Sequence, residues 1–347
     1  MAEVITFGCR LNAFESEVIK EKLKAYDNVI VINTCAVTGE AERQCRQAIR
    51  KLHKENPEAK IVVTGCSAQV HAADFGNMAE VDLVLGNKEK ANIEDYICKI
   101  DGVKLKVSDI MNDEDLDEYM ITGFEGREKA FVQIQQGCNH RCTYCIVPYA
   151  RGKNRSAKIE KVVAQIKLLV EKKIKKICLT GVDICSYEYG LSNVVRAILE
   201  NVQGLEELSF GSLDPAGIDD ELILLIGENK KILPYIHLSV QSGDNSVLKR
   251  MGRRHTRERV IKVCEKIRKL RPEVVFGADF ICGFPSETED AFQNTCRLVD
   301  EANIEKLHVF PYSEREGTPA AKMAQIDMHI RRERAKILRE MRKENNG

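Results

Sequence analysis

The sequence feature that most constrains the fold is a short loop that carries three cysteines. Cys138, Cys142 and Cys145 are spaced C-x3-C-x2-C and follow the strand-like run 131–136. One loop with this spacing can bring three thiolates to a single soft metal centre, and thiolates prefer iron–sulfur clusters, zinc or copper(I). A four-iron cluster normally takes four cysteines. A cluster held by this loop would therefore keep one iron that has no protein ligand and can bind a small molecule.

A structural zinc site is the alternative interpretation of this loop, with His140 as the fourth ligand. His140 lies two residues from both Cys138 and Cys142, which makes it an awkward partner on the same ion. Closed zinc sites more usually combine two separated pairs of ligands. The spacing therefore favours a cluster.

Cysteine content and charge narrow the class of protein. The chain has 13 cysteines in 347 residues, and it shows no basic-then-apolar leader. No apolar run approaches the roughly 20 residues that span a bilayer. These features predict a soluble cytoplasmic protein with no membrane partner, whose reduced thiols are metal ligands or core residues. Since 53 basic residues balance 53 acidic ones, any nucleic-acid contact must come from a local basic patch.

Residues 1–106 alternate between strand-like and helical patterns. Short β-branched runs occur at 4–7, 29–32, 61–63 and 81–85, with amphipathic stretches at 12–25 and 40–54. Strands buried on both faces have this composition, and strand–helix alternation is typical of a parallel sheet. The pattern predicts an α/β fold class, with an open parallel α/β sheet domain at the amino end.

A cysteine follows each of the first three predicted strands. Cys9, Cys35 and Cys66 are separated by 26 and 31 residues. Because the carboxyl ends of parallel strands share one edge of the sheet, these thiols are expected to converge. Three separate buried cysteines are the alternative, since free cysteine is often buried, but the repeated placement favours a second three-thiolate cluster. Cys45 and Cys98 lie in helical patterns without this placement and are interpreted as core or incidental.

The remainder of the chain is predicted to form a linker, a barrel and a terminal helix. Residues 107–128 are acidic, with Asp113, Glu114, Asp115, Asp117 and Glu118, and are interpreted as a solvated connector. Residues 129–322 contain six strand-like runs separated by helical patterns, which suggests a partial (β/α)6 barrel. These runs are 131–136, 177–180, 207–210, 236–241, 275–281 and 307–310. Residues 323–347 read as a basic helix that extends to Lys343.

Several residues at predicted strand ends are candidates for a binding cavity. Substrates of β/α barrels bind at the carboxyl ends of the strands. A serine or glycine there is otherwise only a turn residue. The candidates after strands three, four and six are Ser212, Asp214, Gln241 and Phe310.

Two basic segments are candidates for binding an anion. The first directly follows the cysteine loop and carries Arg151, Lys153 and Arg155; arginine there could hold a cofactor carboxylate or an RNA phosphate in a bidentate contact. The second, 249–257, has five cations in nine residues. Basic runs are usually solvated surface, but in a neutral chain such a run suits phosphate contact. The candidate RNA-binding residues are Arg151, Lys153, Arg250, Arg253 and Arg254.

The combined motifs resemble the radical S-adenosylmethionine (SAM) methylthiotransferase family over essentially the whole chain. The resemblance rests on segments 6–12, 33–38 and 64–69 around the first three cysteines, and on the cysteine loop with Tyr144 before its third cysteine. It implies an enzyme with two [4Fe–4S] clusters, one on each cysteine trio, and SAM as cofactor. No catalytic residues beyond the cluster ligands are expected.

The resemblance also implies that the two clusters have different roles. The loop cluster would cleave SAM to methionine and a 5′-deoxyadenosyl radical, which abstracts hydrogen from an aromatic C–H, while the second cluster delivers a methylthio group. Thr180, Gly181 and Asp183 fall where the family contacts the SAM amino group, and Tyr144 and Arg155 are further expected cofactor contacts. Expected partners are a tRNA substrate, an electron donor such as flavodoxin or ferredoxin, and a sulfur source.

Segments 180–183, 237–243 and 308–318 most resemble the branch that modifies N6-threonylcarbamoyladenosine at position 37, next to the tRNA anticodon. The isopentenyladenosine branch and the ribosomal-protein branch are alternatives. A non-catalytic two-cluster electron carrier also stays open. In the family a small RNA-binding domain, called TRAM, ordinarily follows the barrel; this sequence stops at Gly347 without it.

Overall fold

The structure is a computed structural model that describes residues 2–92, 94–97, 104–114, 116, 120–124 and 126–342. It divides into two compact units: the first comprises Met1–His140 and Ile146–Val182, and the second comprises Arg141–Cys145 and Asp183–Gly347. Five residues named in the predictions lie outside the described residues, namely Cys98, Asp115, Asp117, Glu118 and Lys343.

The first unit alternates strands and helices along the chain. Its strands are β1 (Glu3–Thr6), β2 (Val29–Thr34), β3 (Lys60–Gly65), β4 (Leu83–Leu85), β5 (Leu105–Lys106), β6 (Lys129–Gln133), β7 (Gln135–Gln136), β8 (Arg155–Ser156) and β9 (Lys176–Thr180). Its helices are α1 (Arg10–Leu23), α2 (Gly39–Glu55), α3 (Cys66–Val70), α4 (Ala72–Gly76), α5 (Glu94–Ile97), α6 (Val147–Arg151) and α7 (Ile159–Glu171).

Strands β1 to β5 form one parallel sheet in the order of the sequence, as predicted for an open α/β domain. Its central strands are covered on both faces. Ile32 of β2 packs in one apolar cluster with Ile49 of α2, and its neighbour Val31 packs in a second cluster with Leu23 of α1. Burial on both faces explains why these strands read as continuous apolar runs.

The segment predicted as a solvated linker is largely packed where the structure describes it. Ile110, Ile121 and Phe124 are buried, and the Phe124 ring lies edge-on to Phe131 with 5.2 Å between centroids. These contacts hold the segment against the first strands of the predicted barrel, which belong to the first unit. The compact units therefore divide after Val182 rather than at the predicted linker.

The second unit contains the remaining elements. Its strands are β10 (Glu207–Phe210), β11 (Tyr235–Gln241), β12 (Val275–Cys282) and β13 (Lys306–Pro311), and its helices are α8 (Leu191–Asn201), α9 (Asp220–Glu228), α10 (Asn245–Met251), α11 (Arg257–Leu270), α12 (Glu289–Glu301) and α13 (Met328–Glu340). Strands β11, β12 and β13 form a parallel sheet. The last four predicted strands therefore match β10 to β13 to within two residues at each end.

The predicted basic helix at the carboxyl end is α13, but two of its arginines are internal. Arg331 is buried and donates to the Tyr312 carbonyl at 3.2 Å, and Arg334 pairs with Glu287 at 2.9 Å. These cations attach the helix to the second unit. Among the described residues, no helix combines the length and apolar character needed to cross a membrane.

Candidate metal and substrate site

Cys9, Cys35 and Cys66 all lie at the carboxyl edge of the five-stranded sheet. Cys9 is the N-cap of α1, Cys35 directly follows β2, and Cys66 begins α3 directly after β3. Gly8 passes against Cys35 so closely that a Cβ on the glycine would lie 2.8 Å from Cys35 Sγ. Backbone without a side chain is needed there. The structure thus brings together the strand ends that the sequence predicted would converge.

The charge state of Cys35 reflects this crowding. Burial and, to a smaller extent, the neighbouring thiolates of Cys66 and Cys9 together raise the pKa of its thiol to about 12. The positive charge of a metal centre stabilises thiolates that would otherwise repel one another, and the thiols release their protons when the metal binds. An all-thiolate donor set of this kind suits a soft centre such as an iron–sulfur cluster, so the residues present fit the group that the sequence implies.

A buried arginine lies directly behind this trio. Arg151, at the end of α6, is 1% exposed, and its Nε donates to Cys66 Sγ at 3.0 Å. Its other nitrogens donate to both carboxylate oxygens of Glu15 and to the Asn12 side chain. The same Asn12 amide donates to the carbonyl of Thr34 at 2.9 Å, next to Cys35. Outer contacts of this kind fix the orientation of metal ligands.

Glu15 is the counter-ion of two buried cations. Besides Arg151, Lys90 Nζ lies 2.6 Å from Glu15 Oε2. Burial alone would raise the pKa of Glu15, but Arg151 and Lys90 outweigh it and lower the pKa to about 2. Burial and the Arg151 charge lower the pKa of Lys90 to about 8, against the opposing effect of Glu15. The group of Arg151, Glu15 and Lys90 is named here the buried charge cluster.

The entry to the cysteine loop is held by a short antiparallel ribbon in the first unit, in which β7 pairs with β8. The Gln135 side-chain amide donates to the Gly137 carbonyl and to Asn154 Oδ1, both at 2.6 Å. The Cys138 amide donates to the Gly152 carbonyl at 3.0 Å. These bonds fix the backbone at the first cysteine of the loop.

The exit of the loop, with Cys142 and Cys145, belongs to the second unit. Thr143 is clamped there: its amide donates to the Met251 carbonyl at 2.9 Å, and its hydroxyl donates to the Arg250 carbonyl at 2.9 Å. Arg253 Nη1 lies 3.8 Å from Cys142 Sγ. A cation therefore accompanies a cysteine in each of the two predicted metal sites.

The predicted cofactor residues of the first unit lie at strand ends. Thr180 is buried at the end of β9, opposite Gln133 of β6, and Gly181 follows it. The next amide, on Val182, donates to Gln135 Oε1 at 2.9 Å. Arg155 is buried, pairs with Asp113 and donates to the Arg151 carbonyl at 2.9 Å. Arg155 is therefore held by protein carboxylate and carbonyl groups.

In the second unit, Asp214 is the most heavily paired of the predicted cofactor residues. It lies 3.0 Å from Arg254, 3.3 Å from Arg253 and 3.4 Å from His255. Although burial opposes ionisation, the His255 hydrogen bond and the Arg253 charge lower its pKa. Asp183 lies 3.6 Å from the same Arg254. This arrangement orients the two arginines more than it presents Asp214 to a ligand.

The remaining predicted cofactor residues surround the sheet of the second unit. Tyr144 packs edge-on to Phe284. Gln241 ends β11 with a φ of 71°, a conformation that non-glycine residues adopt mainly where the surroundings impose it. Ser212 hydrogen-bonds to the Ser239 hydroxyl at 2.6 Å, and Phe310 is 44% exposed on β13.

The structure separates the predicted RNA-binding residues into two groups. Lys153, Arg250 and Arg254 are exposed. Arg151 is buried in its charge cluster, and Arg253 is held by Asp214 and by the Ser239 carbonyl at 2.7 Å. A phosphate contact does not suit the last two, because their guanidinium groups contact protein acceptors and their side chains are 1% and 9% exposed, whereas the Arg254 side chain is 41% exposed although it also pairs with Asp214. The prediction is therefore revised for Arg151 and Arg253.

Sequence reasoning missed one polar group in the second unit. His237, Asp279 and His308, on β11, β12 and β13, present ligand-type atoms within 4.8 Å of one another. Polar residues alternate with apolar ones along β11, so strict alternation was the available signal. It could not show which residues of three separate strands would meet.

Comparison with known proteins identifies both parts of the chain. The radical SAM superfamily matches residues 132–299. Residues 1–86 match a family described as uncharacterized protein family UPF0004.

Relatives that match almost the whole chain carry names that state an activity. The chain is 51% identical over 97% of its length to the threonylcarbamoyladenosine tRNA methylthiotransferase MtaB of Rickettsia prowazekii, covering 82% of that protein. It is 38% identical to the MtaB of Aquifex aeolicus, over 97% of this chain and 86% of the relative. A tRNA-2-methylthio-N(6)-dimethylallyladenosine synthase of Staphylococcus aureus is 34% identical, over 96% of this chain and 69% of the relative.

Among solved structures, the fold is similar to that of the radical S-adenosylmethionine methyltransferase TsrM from Kitasatospora setae. The TM-score is 0.64 at 14% identity, covering 92% of this chain and 77% of TsrM. This similarity concerns the fold alone, and it confirms the expected α/β architecture with a radical-SAM barrel.

Proposed function

Because this chain belongs to the radical-SAM tRNA methylthiotransferase family, we propose that its substrate is N6-threonylcarbamoyladenosine at position 37 of tRNA, which it converts to the 2-methylthio derivative. The observation that carries this proposal is the 51% identity, over 97% of the chain, to a protein named for that substrate. The relative named for dimethylallyladenosine is 34% identical, which makes that nucleoside the second candidate.

SAM and a [4Fe–4S] cluster are the cofactors of this family. We assign the radical-SAM cluster to Cys138, Cys142 and Cys145, and a second [4Fe–4S] cluster to Cys9, Cys35 and Cys66. When bound, these groups supply the radical and the sulfur. The convergence of the amino-terminal trio and its Arg151 hydrogen bond support the second assignment.

The side chains around these sites are proposed to bind and orient SAM and the tRNA. Tyr144, Thr180, Gly181 and Asp183 are proposed to position SAM. The exposed cations Lys153, Arg250 and Arg254 are proposed to contact tRNA phosphates, which attract cations without reading sequence. An electron donor such as flavodoxin or ferredoxin, and a sulfur source, complete the proposed reaction, which takes place in the cytoplasm with its tRNA.

Mass spectrometry of tRNA nucleosides tests the substrate assignment. Cells that lack the protein should lose 2-methylthio-N6-threonylcarbamoyladenosine and accumulate the form without the methylthio group. The wild-type gene should restore the product and Cys9→Ala should not. Cys296→Ala, a half-buried cysteine on α12 outside both trios, should restore it fully. Loss of the dimethylallyl product instead would assign the chain to the second candidate.

A further inference from the structure

The sheet formed by β11, β12 and β13 has two different faces. Residues of one face, such as Leu238, Phe280 and Val309, are buried. The opposite face is mostly polar and partly exposed, and is named here the open face; its residues include Tyr235, His237, Ser239, Asp279, His308 and Phe310. A strand sequence alternates in this way when one face packs on a core and the other borders a cavity or solvent.

Asp279 is the centre of the open face. Its Oδ1 lies 3.0 Å from His237 Nε2 and 3.6 Å from His308 Nδ1. Its other oxygen accepts a hydrogen bond from Ser212 at 3.2 Å. One carboxylate thus orients two imidazoles that belong to the strands on either side of it.

The two histidines differ in what remains for a ligand. His237 is buried, and its second nitrogen, Nδ1, lies 3.0 Å from the Tyr235 hydroxyl. Gly277 makes room for this pair, because a Cβ there would lie 2.3 Å from the hydroxyl oxygen. The His308 side chain is 56% exposed, and within the described part of the chain its Nε2 has no hydrogen-bond partner. His308 is therefore the member that can receive a ligand.

Hydrogen bonds connect the open face to the cysteine loop within the second unit. The Ser212 hydroxyl that contacts Asp279 also contacts the Ser239 hydroxyl at 2.6 Å. Arg253 donates to the Ser239 carbonyl at 2.7 Å and lies 3.8 Å from Cys142 Sγ. Ser239 and Arg253 thus link the open face to Cys142, one of the cysteines to which the radical chemistry is assigned above.

We propose that His308, oriented by Asp279, binds the carboxylate of the threonyl group on N6 of the target adenosine and selects that nucleoside. The inference rests on the proposed function. The two ring nitrogens of His308 point to different partners: Nδ1 lies 3.6 Å from Asp279, and Nε2 is left to donate a hydrogen bond to a substrate carboxylate. Hydrogen bonds between charged groups are about twice as strong as neutral ones. A dimethylallyl group has no polar atom to offer this site.

Two synthetic anticodon stem–loop RNAs test this specificity role. One carries N6-threonylcarbamoyladenosine at position 37, and the other carries the same group with its carboxylate converted to a carboxamide. The wild-type holoenzyme should prefer the carboxylate RNA in kcat/KM by roughly tenfold to a hundredfold, as expected for one charge-assisted hydrogen bond. In His308→Leu this preference should fall to near unity, mainly through a higher KM for the carboxylate RNA.

The controls separate specificity from folding. His329→Leu, at an exposed histidine on α13, should keep the wild-type preference, and His308→Leu should still form 5′-deoxyadenosine in the absence of RNA. If His308→Leu keeps the preference, or if the wild type has none, the inference is overturned. It is also overturned if His308→Leu slows both RNAs equally and removes one bound non-iron ion, because the group would then be a cation site. If the wild type modifies neither RNA, the proposed substrate itself is wrong.

Discussion

Replacing Cys142 with alanine is expected to abolish SAM cleavage, whereas replacing Cys9 should abolish only the transfer of sulfur. The two cysteines belong to different trios: Cys142 lies in the C-x3-C-x2-C loop, and Cys9 lies at the edge of the five-stranded sheet. If each trio holds its own cluster, the loop cluster needs no ligand from the sheet. Anaerobically reconstituted Cys9→Ala should therefore form 5′-deoxyadenosine and leave the RNA without a methylthio group, while Cys142→Ala should form neither product.

The same assay distinguishes the competing accounts. Cys296→Ala serves as the matched control and should form both products at wild-type rates. Methylthio product from Cys9→Ala would contradict a sulfur-delivering role for the amino-terminal trio. A wild-type protein that forms no 5′-deoxyadenosine would indicate an electron carrier instead of an enzyme.

Substituting methionine for Arg151 should cause the largest loss of stability of any single cation in the first unit. Arg151 is buried, and its removal leaves the Glu15 carboxylate with Lys90 as its remaining cation. Breaking a buried ion pair by removing one partner destabilises proteins by about 3–5 kcal/mol, which corresponds here to a fall in melting temperature of roughly 10 °C. Circular dichroism melting of the reconstituted protein measures this directly. Cluster absorbance should also fall, since Cys66 loses its hydrogen-bond donor.

A matched control is Arg43→Met on α2, because Arg43 pairs with Glu40 on the surface, where both side chains are more than half exposed. Exposed pairs contribute little to stability, so this variant should melt like the wild type. Equal melting temperatures for Arg151→Met and Arg43→Met would show that the buried charge cluster does not stabilise the fold.

Acid titration provides a second readout of the buried charge cluster. The pKa of Glu15 is lowered from 4.5 to about 2 in the folded protein. A carboxylate whose folded pKa is depressed stabilises the protein above its unfolded pKa, and this contribution is lost as the pH falls through the folded value. Arg151→Met should raise the folded pKa, so the variant should begin to unfold at a higher pH than the wild type.

The local patterns of the sequence predicted the main strands of both units, but not short helices such as α3, α4 and α10. Runs of β-branched residues marked β2 and β3 because burial on both faces removes the need for polar alternation. Three cysteines of the first unit could be placed together, since Cys9, Cys35 and Cys66 each follow a strand of one parallel sheet. The parallel order of the strands therefore made it possible to predict that residues far apart in the sequence lie at the same edge of the sheet.

Ion pairs between residues that are far apart in the sequence could not be predicted from local patterns. The segment around Arg151 was interpreted as a candidate for binding an external anion, because its buried partner Glu15 lies 136 residues earlier on α1. The acidic segment was interpreted as solvated for the same reason, although Asp113 pairs with Arg155. A charged residue has the same neighbours in the sequence whether its side chain is solvated by water or paired with a buried counter-ion. The burial of a charged side chain can therefore be recognised only in the folded structure.

The central claim is that the chain holds two four-iron clusters, each on three cysteines. Anaerobic iron and sulfide analysis with Mössbauer spectroscopy tests it most directly. The reconstituted wild type should contain about eight iron atoms per chain as two [4Fe–4S] clusters, and the variant with Cys9, Cys35 and Cys66 all changed to alanine should retain about four. A colourless wild type with one zinc ion, or a triple variant with the iron content of the wild type, would contradict the account.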